Sequence, residues 1–383
     1  MSAGSPERYE VRVADDVVSD LRDRLGRSRW PEQPAEAGWE LGSDLAYTRE
    51  LCEHWRRGYD FARLERLNEW VSARWEGIHF LRAEPAQASR EVPVVLLHGW
   101  PSGPIEYERV ALLIAGSGRE AIVPSLPGYA WSEDPGEALN VAGMAARLRA
   151  LLVGGLGLER FAVAGGDWGA MLAARIAFDD PERVTALHVS TPHTLPAPGD
   201  LAEPPLSDQE TAWIERAQRW RRRSGHHLAI QSLAPDAISP ALSDSPAGLA
   251  AYLLGKYRTW SQSGGDLESR FSKDELCDLL TMYWSTGSIA SSMRLYWGEA
   301  RERWRPRPGE RIEVPAGVAV YPGDMSGGGE VEPGLSPPRA WSERLLSDLR
   351  RWREMPAGGH FAAFEEPKSY AAELYSFLDE LEP

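Results

Sequence analysis

The chain has 383 residues, of which 43% are hydrophobic, enough to bury one large core carrying insertions. Its 57 acidic residues against 42 basic ones leave a net charge of -15, which disfavours nucleic acid and anionic membrane surfaces and favours a small neutral ligand. Cys52 and Cys277 are the only cysteines, too few for a disulfide framework or a cysteine-rich metal site, so a reducing compartment and the cytoplasm are expected.

The amino terminus "MSAGSPERYEVRVADD" carries no apolar run of export-signal type and nothing near the roughly 20 apolar residues that span a bilayer, so no membrane attachment is expected. Residues 1–85 read as an N-terminal cap, because "GWELGSDLAYTRELCEHWRRGYDFARLERLNEW" places apolar residues at helical spacing among aromatic-rich turns. From 86 to 194, short apolar runs alternate with helical stretches: "VPVVLLHGW", "EAIVPSLPG", "RFAVAGGD" and "VTALHVS". That rhythm predicts an α/β core with a mostly parallel sheet flanked by helices.

Over residues 195–305 the strand signal vanishes, and "DQETAWIERAQRWRRR", "GLAAYLLGKYRTW" and "DELCDLLTMYWSTGSIASSMRLYW" read as the helices of an inserted lid. The core resumes over 306–383 after the breaker "RPRPGER", with a strand in "IEVPAGVAVYPGD", a helix near "PRAWSERLLSDLRR" and a closing segment around "GGHFAAFEEP".

Ligands of open α/β sheets sit beyond the carboxyl ends of the strands, so the residues following each strand are where chemistry is expected. Four such ends carry it: "HGWPSGPIEY", "GGDWGA", "GDMSGGG" and "GGHFAAFEEP". The second has the shape G-x-Nu-x-G, a sharp strand-to-helix turn whose apex holds a nucleophile, and the apex here is Asp167. With Asp324 and His360 it repeats the nucleophile, acid, histidine order of α/β-hydrolases.

A carboxylate that attacks carbon forms an ester, and a second step must remove that ester. His360 is suited to activate water for that step, and Asp324 to orient the imidazole and stabilise its charge. Gly165, Gly166 and Gly169 allow the strained turn, and the backbone N–H groups of Trp100 and Trp168 are placed to hold an oxyanion. His98 reads as a stabiliser of the oxyanion loop. The segment "TPHTLPAPG" after "VTALHVS" is the rival place for the acid, but it has no carboxylate before Asp200. The eight histidines are scattered without metal-site spacing, so neither a metal nor another cofactor is expected.

Along nearly its whole length the sequence resembles the epoxide hydrolases of the microsomal type, within the α/β-hydrolase superfamily. The resemblance rests on "HGWPSG", "PSLPGYAWS", "GGDWGA", "LSDSPAGLAAYLLGKYRTW", "MYWSTGSIASS" and "GGHFAAFEEP", together with the N-terminal meander. It implies that Asp167 opens an epoxide through a covalent ester, that His360 activates the hydrolytic water, and that Asp324 takes an acid position where relatives often have Glu. It also implies that lid tyrosines donate to the epoxide oxygen, one of them being Tyr296 in "MRLYW". The second departs from the pattern: where relatives have Tyr in "YxxIQ", this chain reads "HLAIQ" with His227. His227 as imidazolium or as the right tautomer, Tyr296 alone, or help from His226, Tyr252 or Tyr257 all stay open.

The expected partner is a small apolar or aromatic epoxide; whether the chain forms a homo-oligomer stays open. A haloalkane dehalogenase would share the Asp-Trp pair but require halide donors, and a non-hydrolytic epoxide-opening cyclase or ligand-binding pseudoenzyme would explain the loss of one tyrosine. Catalytic turnover through an ester separates the hydrolase from both.

Overall fold

The computed structural model describes residues 4–87, 91–197, 204–326 and 334–381. Its strands are β1 (Glu7–Arg8), β2 (Val71–Trp75), β3 (Ile78–Ala83), β4 (Val94–Leu97), β5 (Ala121–Pro124), β6 (Phe161–Gly165), β7 (Val184–Val189), β8 (Ala316–Val320) and β9 (Leu349–Glu354). They form a single nine-stranded sheet in the order β1-β2-β3-β5-β4-β6-β7-β8-β9. From β5 through β4 to β9 every pairing is parallel, while β1, β2 and β3 are joined to one another and to β5 in antiparallel fashion. This is the α/β-hydrolase architecture.

The central strands β4, β5 and β6 are buried at every residue, which is why they read as unbroken apolar runs rather than alternating ones. Strand order reverses at β4, since the chain moves to one side for β5 and to the other for β6. Such a reversal opens a crevice beyond the strand ends, and the loops after β4, β6, β8 and β9 all emerge there.

Two sequence expectations need correction. The segment up to residue 85 is not helical throughout, because β1, β2 and β3 extend the main sheet. Its "VSARWEGIHFLRA" is a hairpin whose turn residues Glu76 and Gly77 both have positive φ, 44° and 77°, the backbone that a two-residue hairpin demands. The aromatic-rich helical spacing upstream masked this short alternation. Likewise, the helix expected near "PRAWSERLLSDLRR" covers only Arg339–Glu343, and Leu349–Glu354 is the edge strand β9. As an edge strand it is half-exposed and rich in arginine, with Arg353 bridging to Glu373 at 2.8 Å, so no apolar period betrays it.

Among the described residues of the lid there are helices and no strand, the longest being Asp208–Ser224, Pro246–Trp260, Lys273–Thr286 and Ile289–Arg301. The N-terminal segment clamps the third of these: Trp55 Nε1 donates to Thr281 Oγ1 at 2.8 Å and Tyr59 donates to the buried Asp278 at 2.6 Å. Arg63 and Arg66 complete the pairing of that carboxylate, as a buried charge requires.

Candidate active site

β6 ends at Gly165 and the next helix begins at Trp168, so Gly166 and Asp167 make the whole turn. Asp167 sits at φ 52°, ψ -128°, a conformation that a residue with a Cβ adopts only when its surroundings impose it. The imposition is visible at Gly169, where a Cβ would lie 1.8 Å from the Leu97 carbonyl oxygen. Helix and β4 thus meet backbone to backbone, and the chain has no room to relax. The N–H of Asp167 donates to Thr191 Oγ1 beyond β7, which ties the apex down.

The loop after β4 brings the first donor. Trp100 N–H donates to Asp167 Oδ1 at 2.8 Å. That approach needs a glycine before it, since a Cβ on Gly99 would stand 2.4 Å from the Asp167 Cβ. His98 braces the loop as expected: its Nδ1–H donates to Gly99 O at 3.0 Å and its Nε2 accepts from Leu126 N–H at 3.1 Å. Burial pulls its pKa down to about 4, so the ring is neutral. From the lid, Tyr283 donates to Ser102 O at 2.9 Å and grips the same loop. Trp168 N–H opens its helix and has no intrahelical acceptor.

His360 Nδ1–H donates to Asp324 Oδ1 at 2.9 Å, and its Nε2 lies 3.5 Å from Asp167 Oδ2. The His360 backbone is held from the lid, its N–H donating to Trp260 O at 2.9 Å. Burial alone would lower the pKa of this imidazole, but Asp167 and Asp324 override it and hold the group at about 10. Burial would likewise raise the Asp324 carboxyl, yet His193 and His360 keep it well below the usual carboxylate range. The acid after β8, an Asp, therefore reaches the histidine.

Tyr296 stands over this floor between two indoles, its ring 4.7 Å from Trp168 and 5.7 Å from Trp100. Burial first and the Asp167 charge second raise its pKa well above that of a free phenol, so it remains a hydroxyl donor. His227 lies in the same roof, stacked on Trp100 at 5.8 Å with a 7° tilt, 4.8 Å from Trp260 and 6.0 Å from Tyr296. Burial and then Lys256 depress its pKa well below the usual value, which leaves a neutral ring. Of the substitutes considered, His226 accepts from Lys256 at 2.9 Å and Tyr257 donates to Pro101 O at 3.4 Å. Tyr252 accepts from Gln231 at 3.2 Å, with its ring 6.1 Å from that of Trp100.

All seven residues singled out in the sequence converge here, and three that were not join them. His193 comes from "TPHT", the segment weighed only for a carboxylate, and its Nδ1 is 2.9 Å from the other oxygen of Asp324. Asp200 of that segment lies outside the described residues. Glu365 accepts from Gln262 N–H at 2.8 Å and Phe361 N–H at 3.1 Å, locking the loop around His360. Glu106 is buried beneath the oxyanion loop. The glutamates lie inside "HGWPSGPIEY" and "GGHFAAFEEP", where their presence near the chemistry is readable, whereas nothing local marks His193. His193, Asp324 and His360 place ligand-type atoms within 4.8 Å of one another. Two of those atoms face each other in a hydrogen bond rather than a common point, a poor arrangement for a metal.

The family described as "Epoxide hydrolase N terminus" matches residues 6–107, and "alpha/beta hydrolase fold" matches 92–225. A Stigmatella aurantiaca protein named "Putative epoxide hydrolase" is 34% identical, covering 96% of this chain and 83% of its own length. Epoxide hydrolase 1 of Sus scrofa is 29% identical over 98% of this chain and 88% of its own. The crystal structure of juvenile hormone epoxide hydrolase from the silkworm Bombyx mori superposes with a TM-score of 0.83 at 27% identity, covering 99% of this chain and 94% of that one. None of these relatives carries a dehalogenase or cyclase name. Among the described residues no helix is long and apolar enough to cross a membrane. The chain belongs to the epoxide hydrolases of the microsomal type in the α/β-hydrolase superfamily, and epoxide hydrolysis is its reaction.

Proposed function

We propose that hydrolysis runs in two steps through an ester on Asp167. The carrying observation is the placement of one carboxylate with Oδ1 on Trp100 N–H at 2.8 Å and Oδ2 3.5 Å from His360 Nε2, while His360 rests on Asp324. Oδ1 is occupied by its donor, so Oδ2 is the attacking oxygen. It displaces the epoxide oxygen from carbon, and Tyr296 donates the hydrogen bond, then the proton, that the departing alkoxide needs. His227 assists as a neutral N–H donor.

Esterification then changes the base. Asp167 no longer carries charge, so one of the two carboxylates holding His360 near 10 is gone and its pKa falls. The imidazole becomes neutral by passing its proton back to the Tyr296 phenolate through water, and it then takes a proton from the water that attacks the ester carbon. The oxyanion is held by the N–H groups of Trp100 and Trp168, and the collapsing intermediate expels the diol as the imidazolium returns the proton. Every proton and the nucleophile come from side chains and water, so no metal or cofactor enters the scheme.

The roof of Trp100, Trp168, Trp260 and Tyr296 favours an apolar or aromatic epoxide. The division of the chain into a meander (1–85), a core (86–194 and 306–383) and a lid (195–305) belongs to the same reading. So does the cytoplasmic location, which the two buried free thiols of Cys52 and Cys277 suit. The test is diol formation across a panel of aryl and alkyl epoxides, run beside halide release from haloalkanes. Diol from the aryl members without halide release is expected; halide release alone would overturn the reading.

A further inference from the structure

Beside Asp167 and His360 lies a narrow crevice walled by Ser102, Glu106, Asp167, His360 and neighbouring backbone. Ser102 Oγ and His360 Nε2 are buried there without a protein hydrogen-bond partner of good geometry. Glu106 is 6% exposed, and among the described residues no lysine or arginine pairs with it. A buried carboxyl without a cation is costly, and one that faces reacting groups is a mark of function rather than of stability. Burial pushes its pKa up to about 7, against the pull of the Ser102 hydroxyl and then of His360.

We propose that Glu106 and Ser102 hold the water that hydrolyses the Asp167 ester, with His360 Nε2 as its third partner. An ordered buried water takes two to four polar partners, and these three supply them. In the resting enzyme the lining is closed to a whole water. Alkylation draws Asp167 Oδ2 toward the substrate, away from the His360 Nε2 that it faces at 3.5 Å, and opens the cavity on the side of the ester carbon. One water proton then passes to His360, the water oxygen bonds to the Asp167 carboxyl carbon, and the second proton stays hydrogen-bonded to Glu106. Breaking the ester C–O bond releases the diol, which recovers its proton from His360, and the proton left on the Asp167 carboxyl passes to His360 to restore the resting pair. Glu106 is thus a positioning residue for the second step alone, and an amide oxygen in its place accepts the same bond.

This inference rests on the ester mechanism, so the experiment carries its own control. Styrene oxide is mixed rapidly with parent, Glu106→Ala, Glu106→Gln, Ser102→Ala and His360→Gln enzymes, and the adduct is followed by intact mass. In Glu106→Ala, adduct formation stays within about threefold of the parent while its breakdown slows about ten- to a hundredfold, the scale of a lost hydrogen bond plus a misplaced reactant. Glu106→Gln restores breakdown to within about threefold, and Ser102→Ala slows breakdown without slowing formation. Unchanged breakdown in Glu106→Ala, equal slowing of both steps, or Gln as slow as Ala overturns the proposal. If Glu106→Ala does not fold, the Ser102→Ala result decides alone. Absence of adduct in His360→Gln would instead strike the ester mechanism itself.

Discussion

The floor and the roof of the site are built by different means. On the floor, backbone fixes the residues assigned to the proposed chemistry: Asp167 by an enforced φ of 52°, the Trp100 N–H by the close approach at Gly99, and His360 by its N–H on Trp260 O. In the roof, ring packs on ring, with His227 on Trp100, His227 beside Trp260 and Tyr296 against Trp168. A nucleophile must meet carbon along one line, so its position tolerates no exchange. Activation of the epoxide oxygen needs only a donor within reach, and a stack of rings accepts one aromatic for another. This is why a histidine can stand at 227 while the elbow keeps its pattern.

If the floor is as exacting as this, Asp167→Ala should abolish diol formation, a loss of at least about four powers of ten by analogy with removal of other nucleophiles, with the thermal midpoint little changed because alanine keeps the Cβ and its strain. Residual turnover above background would break the comparison at its base. His360→Gln comes next: turnover should stop after one equivalent, with a stoichiometric adduct visible in the intact mass. A variant that neither turns over nor binds covalently would show that the histidine also acts before attack.

Smaller effects are expected overhead. Tyr296→Phe should slow ester formation by about two to three powers of ten, the scale of one oxyanion-type donor, and His227→Phe by less than about tenfold. A reversed ranking would make His227 the principal donor. Because burial keeps His227 neutral, ester formation should be flat between about pH 6 and 8 and stay flat in His227→Tyr. A rate that falls as pH rises through that window, and loses the fall in His227→Tyr, would point to an imidazolium donor.

The smallest effect concerns pH. A neighbouring carboxylate raises the pKa of an imidazole, so the loss of the Asp167 charge lowers it; ester breakdown should rise with pH to a midpoint below the value of about 10 held by the free enzyme. A midpoint at or above 10 would mean that Asp167 contributes little to that shift.

The same contrast governs what could be read from the residues. Buried parallel strands announce themselves as apolar runs, and the elbow announces itself because glycines at 165, 166 and 169 are forced by contact distances. The β2–β3 hairpin is hard to read because its signal spans two residues, Glu76 and Gly77, after a long aromatic-rich helical pattern. β9 is hard to read because an arginine-bearing edge strand has no apolar period. His193 reaches Asp324 only through the juxtaposition of the loops after β7 and β8, and no local pattern encodes that meeting. Glu106 and Glu365 lie inside "HGWPSGPIEY" and "GGHFAAFEEP", but their burial is something no local pattern reports.

The central claim is that an Asp167 oxygen, not water, enters the diol first. The direct measurement is a single turnover of enzyme in excess over an aryl epoxide in oxygen-18 water, followed by mass analysis of the diol and of the peptide containing Asp167. Unlabelled diol and one heavy oxygen on Asp167 is the predicted result. Heavy oxygen in the first diol, with Asp167 unlabelled, would contradict the ester mechanism and assign the carboxylate the role of a base toward water.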